Sequence, residues 1–165
     1  MRGVDFAEAV QKTWDSLPPE QREYWHYSDL ASWDSYIPIL EMLKSYNECN
    51  NFKIDTIIDV GCNWGTQSFR FHQLGYRYFG IDYNTSDHAF IGPDTNEVLF
   101  FDADATKMNF KKFNQKYNIN SLSTLVICAY IPMLKHQVGY DCKRSNRGAK
   151  FMAKMLKYYS KYVIL

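Results

Sequence analysis

The sequence predicts one α/β domain built on a parallel β-sheet, preceded by helices, and three observations carry that prediction. After Asn50, short apolar runs alternate with segments of helical pattern, which implies parallel strands covered by helices on both faces. The first run ends in Asp59-Val-Gly-Cys-Asn-Trp-Gly65, an acid followed by a glycine-bounded turn that opens the next helix. A second run, Tyr78-Phe-Gly-Ile81, ends at Asp82, 21 positions after Gly61. That spacing is close to the ~20-residue offset at which an acidic side chain meets a ribose hydroxyl in nucleotide-binding sheets.

Taken in order, Phe6 to Leu17 has helical spacing at Phe6, Val10 and Trp14 and stops at Pro18-Pro19. Residues 19–26 start a short second helix with proline in its first turn. Asp29 or Ser32 can cap a third, with Ile37, Leu40, Leu43 and Tyr46 on one face. Residues 1–50 are thus read as a helical cap and 51–165 as the α/β core of one compact domain. Strands are expected at 54–60, 77–82, 97–101, 124–130 and 161–165, and helices at 65–74, 107–117 and about 147–160. The weak segment 83–96, interrupted by Gly92-Pro93, has 14 residues, enough for a right-handed crossover.

Composition narrows the function classes. A chain of 165 residues buries roughly 70% of the surface its unfolded form exposes, so it needs no disulfide staple. The 46% hydrophobic and 17% aromatic content is that of a globular chain, not a disordered one. The longest apolar run, Leu125 to Leu134, contains Pro132 and falls short of the ~20 residues of a membrane span. The start of the chain lacks the apolar stretch of a signal peptide. Cys49, Cys62, Cys128 and Cys142 show neither a CxxC pair nor histidine spacing for zinc. The expectation is a soluble cytoplasmic protein without a metal.

Net charge is +1, but it is unevenly spread. Residues 1–59 carry 5 Lys and Arg against 11 Asp and Glu, residues 130–165 carry 8 against 1, and the middle balances at 6 each. Lys150, Lys154, Lys157 and Lys161 lie three or four apart and read as a solvated helix face, with a basic groove for an anionic substrate or nucleic acid as the sharper alternative.

The turn at 59–65 is not a dinucleotide fingerprint. The first, third and sixth positions of GxGxxG are Gly61, Asn63 and Thr66, so two of three glycines are missing. A pyrophosphate there would also sit within a few Å of the Asp59 carboxylate and be repelled. A ligand with an ammonium and a sulfonium and no phosphate would be attracted, and S-adenosylmethionine is such a ligand. With the acid and outer glycines of Asp59-Val-Gly61-Cys-Asn63-Trp-Gly65, the chain resembles the class I S-adenosylmethionine-dependent methyltransferases. Asn63 departs from that family's middle glycine, but asparagine tolerates the positive φ such a turn needs.

Later segments extend the resemblance over roughly residues 54–134. Asp102-Ala-Asp104-Ala105 is similar to the family's segment beside the adenine, and Ser123 to Tyr130 matches the strand that ends beside the methyl group. The resemblance implies a doubly wound, Rossmann-like sheet of strand order 3-2-1-4-5, without the two strands that usually complete it. It implies cofactor contacts from Asp59, Gly61, Cys62, Asn63, Gly65, Asp82, Tyr83, Asp104, Ala105 and Ala129. Asp59 would orient the methionine ammonium, Asp82 hold the ribose and Asp104 the adenine amine. Trp25, Tyr27, Trp33, Tyr36 and Tyr130 are the substrate-lining candidates, and the first four could equally glue helices to the sheet. Trp64 is either packing or pocket lining, and Cys62 reads as a turn residue, not a nucleophile.

No general base is assignable: His136 is more simply a surface residue. The Asn/Asp-Pro-Pro-Tyr signature of nucleic-acid amino-methylating enzymes is absent, as Ala129-Tyr-Ile-Pro132 stands there. A small-molecule acceptor is favoured, with RNA or protein left open. The other function class is a cofactor-binding or non-catalytic interaction module on a truncated methyltransferase fold. Tyr162 to Leu165 would form an apolar edge strand, and an edge invites a second copy of the chain.

Overall fold

Four fully paired strands form the centre of the computed structural model, which describes residues 6–24, 36–82, 90–128, 151, 153–159 and 163–164. They are β1 (Thr56–Val60), β2 (Arg77–Asp82), β3 (Val98–Asp102) and β4 (Thr124–Ile127). All pair in parallel, in the spatial order β3-β2-β1-β4. The two residues of β5 (Val163–Ile164) run parallel beside β4. The helices are α1 (Phe6–Ser16), α2 (Pro19–Tyr24), α3 (Ile37–Cys49), α4 (Ser68–Gln73), α5 (Phe110–Tyr117) and α6 (residues 153–158). The result is an α/β fold on a parallel sheet, as the alternating pattern predicts.

Both faces of the sheet are covered, which is why β1 is buried at all five positions, with Thr56 and Asp59 as its polar residues. Because successive strand residues point to opposite faces, Ile58, Phe79 and Val126 go one way and Ile57, Tyr78 and Leu125 the other. The first face packs against Phe110 and Phe113 of α5 and against Phe151, Met155 and Tyr159 around α6. The second packs against Tyr36, Ile39 and Leu43 of α3 and Phe71 of α4. A third, smaller cluster joins Val10 and Leu17 of the α1 region to Trp64, Phe69 and Ile91.

The N-terminal helices therefore do two jobs. α3 is a layer of the sheet sandwich, whereas α1 lies on the turn that follows β1. On α3 the buried face is Ile39 and Leu43, with Leu40 and Tyr46 packed at its margin. Ile37, expected on that face, is instead 46% exposed. Tyr36 occupies the N-cap position without a side-chain cap, and Pro38 stands in the first turn; Asp29 and Ser32 lie outside the described residues.

Element edges differ from the sequence reading where turns intervene. The helix expected from 65 starts at Ser68, because residues 61–67 are taken up by a tight turn with Gly61, Asn63 and Gly65 at positive φ. The helix expected from 107 starts at Phe110, capped by the Asn109 side chain, which accepts from the Lys112 amide. It ends at Asn118 in the left-handed conformation. The first strand starts at Thr56 instead of 54, and Ile127 is the last paired residue of the fourth. Among the described residues no helix is long and apolar enough to cross a membrane.

A candidate ligand corner at the carboxyl ends of the strands

In an open parallel sheet, ligands bind beyond the carboxyl ends of the strands, where the order reverses between neighbours. Here that place is the end of β1, with β2 on one side and β4 on the other. The chain leaves β1 through Gly61 (φ 80°), Asn63 (φ 53°) and Gly65 (φ 78°). Asn63 takes the left-handed conformation that the sequence demanded of it. The Gly61 amide donates to the Ile81 carbonyl at 2.8 Å, and the Gly65 amide to the Cys62 carbonyl at 2.9 Å. The Asn63 amide donates to Asp82 Oδ2 at 2.6 Å. That last bond ties the turn after β1 to the acid that ends β2.

Asp59 lies behind the turn and is fully buried. Its Oδ2 accepts from Gln67 Nε2 at 2.7 Å, from the Tyr78 hydroxyl at 2.7 Å and from the Tyr36 hydroxyl at 3.1 Å. Its Oδ1 has no hydrogen-bond partner among the described residues. Loss of water raises its pKa from 3.8 to about 6; the three donors pull it back down, and the nearby Asp82 charge adds to the rise. The same burial, next to the Asp59 and Asp82 charges, pushes the Cys62 thiol well above its ordinary value. A thiol held protonated is no nucleophile, so Cys62 is a buried turn residue, as expected.

The other acids of the corner are placed differently. Asp82 is half-buried, and its Oδ1 accepts from no described residue. Asp104 is bound into its own loop: Oδ1 accepts from the Thr106 amide at 3.0 Å and the Thr106 hydroxyl at 2.5 Å, and Oδ2 meets Lys107 at 3.2 Å. The Thr106 hydroxyl is the main reason its pKa is lowered. Ala105 is buried in the apolar cluster below. The corner thus brings together Asp59, Gly61, Cys62, Asn63, Gly65 and Asp82, with Asp104 and Ala105 on the loop after β3. Tyr83, Ala129, Tyr130, Trp25, Tyr27, Trp33 and His136 lie outside the described residues.

Two of the candidates also serve packing. Gly65, an implied cofactor contact, has the space where its Cβ would stand filled by the ring of Phe100. The same ring lies against Gly80 and Gly92, 2.6 Å from where each Cβ would be, and stacks on Phe90 at 5.0 Å. Tyr36, a substrate-lining candidate, is buried with its hydroxyl on Asp59. Trp64 resolves as packing, buried between α1 and Ile91, whose amide donates to the Trp64 carbonyl at 2.7 Å.

Residues the sequence reading missed are Gln67, Tyr78 and Lys154. Gln67 Nε2 also donates to the Cys62 carbonyl at 3.0 Å, linking Asp59 to the turn. Tyr78 follows from register: Asp59 pairs with Gly80, and Tyr78, two residues earlier, shares its face. Lys154 Nζ donates to the Met108 and Thr106 carbonyls at 2.5 and 3.2 Å. It is an anchor of the loop carrying Asp104, not part of a solvated stripe.

A second concavity lies away from the corner, between α3 and α4 near the amino ends of the strands. This groove of about 940 Å³ is lined by apolar Leu40, Leu74 and Tyr76 and by both charge signs, including Glu41, Lys53 and Arg70. Among the described residues no three His, Cys, Asp or Glu side chains converge as a metal site would require. The chain matches no protein family, no curated protein and no solved structure.

Proposed function

We propose that the corner binds S-adenosylmethionine on a Rossmann-like sheet and that the protein transfers its methyl group to an acceptor, most simply a small molecule. The observation that carries this reading is the pair of acids on adjacent strand ends. Asp82 holds the left-handed turn with one carboxylate oxygen and keeps the other for a ribose hydroxyl, while Asp59 places a buried negative charge behind the same turn. Above pH 6 that charge disfavours a pyrophosphate and favours a cationic ligand, which speaks for a sulfonium cofactor over a dinucleotide. Catalysis would consist of holding the acceptor in line with the sulfonium carbon in a water-poor pocket, which needs no general base on the protein when the acceptor is already nucleophilic. Ala129 and Tyr83 complete the cofactor contacts in this reading, and the β5 edge is where a second copy would pair.

The competing reading is an interaction module that keeps the fold without turnover. It is favoured by Asp104, whose carboxylate is already occupied by Thr106 and Lys107 and would have to be released to meet an adenine amine. Calorimetric titration with S-adenosylmethionine and S-adenosylhomocysteine decides between them. Both ligands should bind, and Asp82→Ala should weaken S-adenosylhomocysteine by ~1–3 kcal/mol as a charged acceptor is lost. No heat with either ligand would overturn the cofactor reading, and equal affinity in Asp82→Ala would overturn the ribose role. Sedimentation at high protein concentration tests the second copy.

A further inference from the structure

One side chain joins the buried acid to the turn. Gln67 Nε2 lies 2.7 Å from Asp59 Oδ2 and 3.0 Å from the Cys62 carbonyl, so a single amide group spans the end of β1 and the left-handed segment after it. It also lies 3.1 Å from the Tyr36 hydroxyl at the start of α3. We propose that this cluster is a proton-sensitive clasp: ionised Asp59 holds Gln67, Gln67 holds the Gly61–Gly65 turn, and protonation of Asp59 loosens it.

The donors facing Asp59 are built for an anion. Three of them converge on Oδ2. A proton placed on Oδ2 can be passed toward a tyrosine hydroxyl, which rotates and accepts, but the Gln67 amide nitrogen cannot accept and must give way. A proton placed on Oδ1 finds no acceptor among the described residues, where that oxygen has no partner. Either way the protonated acid is a poorer acceptor for Gln67, and the bridge to the Cys62 carbonyl weakens with it.

The titratable groups around the clasp come from every element packed on it. They are Tyr36 at the start of α3, Tyr78 and Asp82 on β2, Cys62 in the turn and Cys128 after β4. Burial raises Tyr78 and Cys62 well above their ordinary values and Cys128 to about 12, so these stay neutral, and Asp82 adds only negative charge. Among the described residues no cation forms an ion pair with Asp59. Burial, with no described cation to offset it, pushes Asp59 up to about 6, where small pH changes alter its charge. The clasp does not depend on which ligand the corner takes.

The test is an NMR titration of the full chain from pH 8 to 5, following the Asp59 carboxyl carbon, the Gln67 side-chain amide and the backbone amides of Cys62, Asn63 and Gly65. The expected result is one shared midpoint near 6, with lower protection of the turn amides below it once exchange is compared with the intrinsic rate at each pH. Tyr78→Phe, which removes a donor to the anion, should move the midpoint up. Gln67→Met, which also removes a donor to the anion, should move the midpoint up as well, but the turn amides should then stop following the carboxyl titration, a separation that a purely structural role of Gln67 would not give. A carboxyl midpoint in the ordinary range near 4 in the unmodified protein, or turn amides that do not change across the titration, would overturn the clasp, and neither observation requires a variant to fold.

Discussion

The two faces of the sheet are equally buried and differently made. On the α5 side, Phe79 packs with Phe101, Phe113 and Tyr117 at ring separations of 5.7–6.5 Å in a largely apolar interior that holds no described charged side chain. On the α3 side, Tyr78 packs on Phe71 at 5.7 Å, yet its hydroxyl, with those of Tyr36 and the Gln67 amide, surrounds a buried carboxylate. Adjacent residues of one strand therefore serve opposite ends: Phe79 stabilises, and Tyr78 supports a charge that the fold must carry at a cost. Burying an acid without a cation is unfavourable unless hydrogen bonds offset it, and a protein that keeps one does so against its own stability.

That contrast predicts how each face responds to change. The largest effect belongs to Phe79→Ala, which should cost about 3–5 kcal/mol in denaturant unfolding as a buried ring leaves a cavity. Tyr78→Phe should cost no more than about 1–3 kcal/mol, since the ring remains and one donor is lost. Equal costs would break the distinction between the faces.

The next effect is linked to pH. Folded Asp59 keeps its proton up to about pH 6, whereas an unfolded one releases it near 3.8. Between those values the folded state binds the extra proton, so the stability that Asp59 contributes is full below about 3.8 and is lost as pH rises through about 6. The stability difference between the unmodified protein and Asp59→Asn should thus shift by on the order of 3 kcal/mol in favour of the unmodified protein as pH falls across that window. Parallel unfolding curves at several pH values check it, and a constant difference would mean Asp59 titrates as an ordinary carboxylate.

A smaller difference separates two glycines. Gly65 and Gly75 both have positive φ, 78° and 84°, but a Cβ on Gly75 meets nothing within 4 Å while one on Gly65 meets the Phe100 ring. Gly65→Ala should cost about 1–3 kcal/mol more than Gly75→Ala, because only the former adds overpacking to the left-handed strain. The smallest change is expected for Asp104→Ala, under about 1 kcal/mol, as its ion pair is largely solvated. If that variant nonetheless loses S-adenosylhomocysteine affinity in calorimetry, the adenine role gains support independent of stability.

The parallel sheet was legible because its strands are apolar on both faces, so runs such as Thr56 to Val60 and Arg77 to Asp82 stand out whatever their neighbours. The corner was legible for a related reason: glycine and asparagine at 61, 63 and 65 mark a backbone that other residues rarely adopt. The support behind it was less so. Gln67 has no special spacing, and its importance arises only when the turn folds back to bring it under Asp59. Tyr78 looked like one more apolar strand residue, since only the β1–β2 register reveals that its hydroxyl reaches a carboxylate. The packing role of Gly65 was not legible, because a glycine required by a ligand and a glycine required by a ring from another strand leave the same mark in a sequence.

Phe100 carries a consequence for how such a chain can vary. Its ring fills the space beside Gly65, Gly80 and Gly92, three positions drawn from a turn, a strand and a loop. None of the three can gain even a methyl group independently while that ring stays, and a smaller residue at 100 would leave a void that all three border. Four positions far apart in sequence are therefore inherited as one character. Relatives of this chain should either keep the phenylalanine with its three glycines or exchange them as a set.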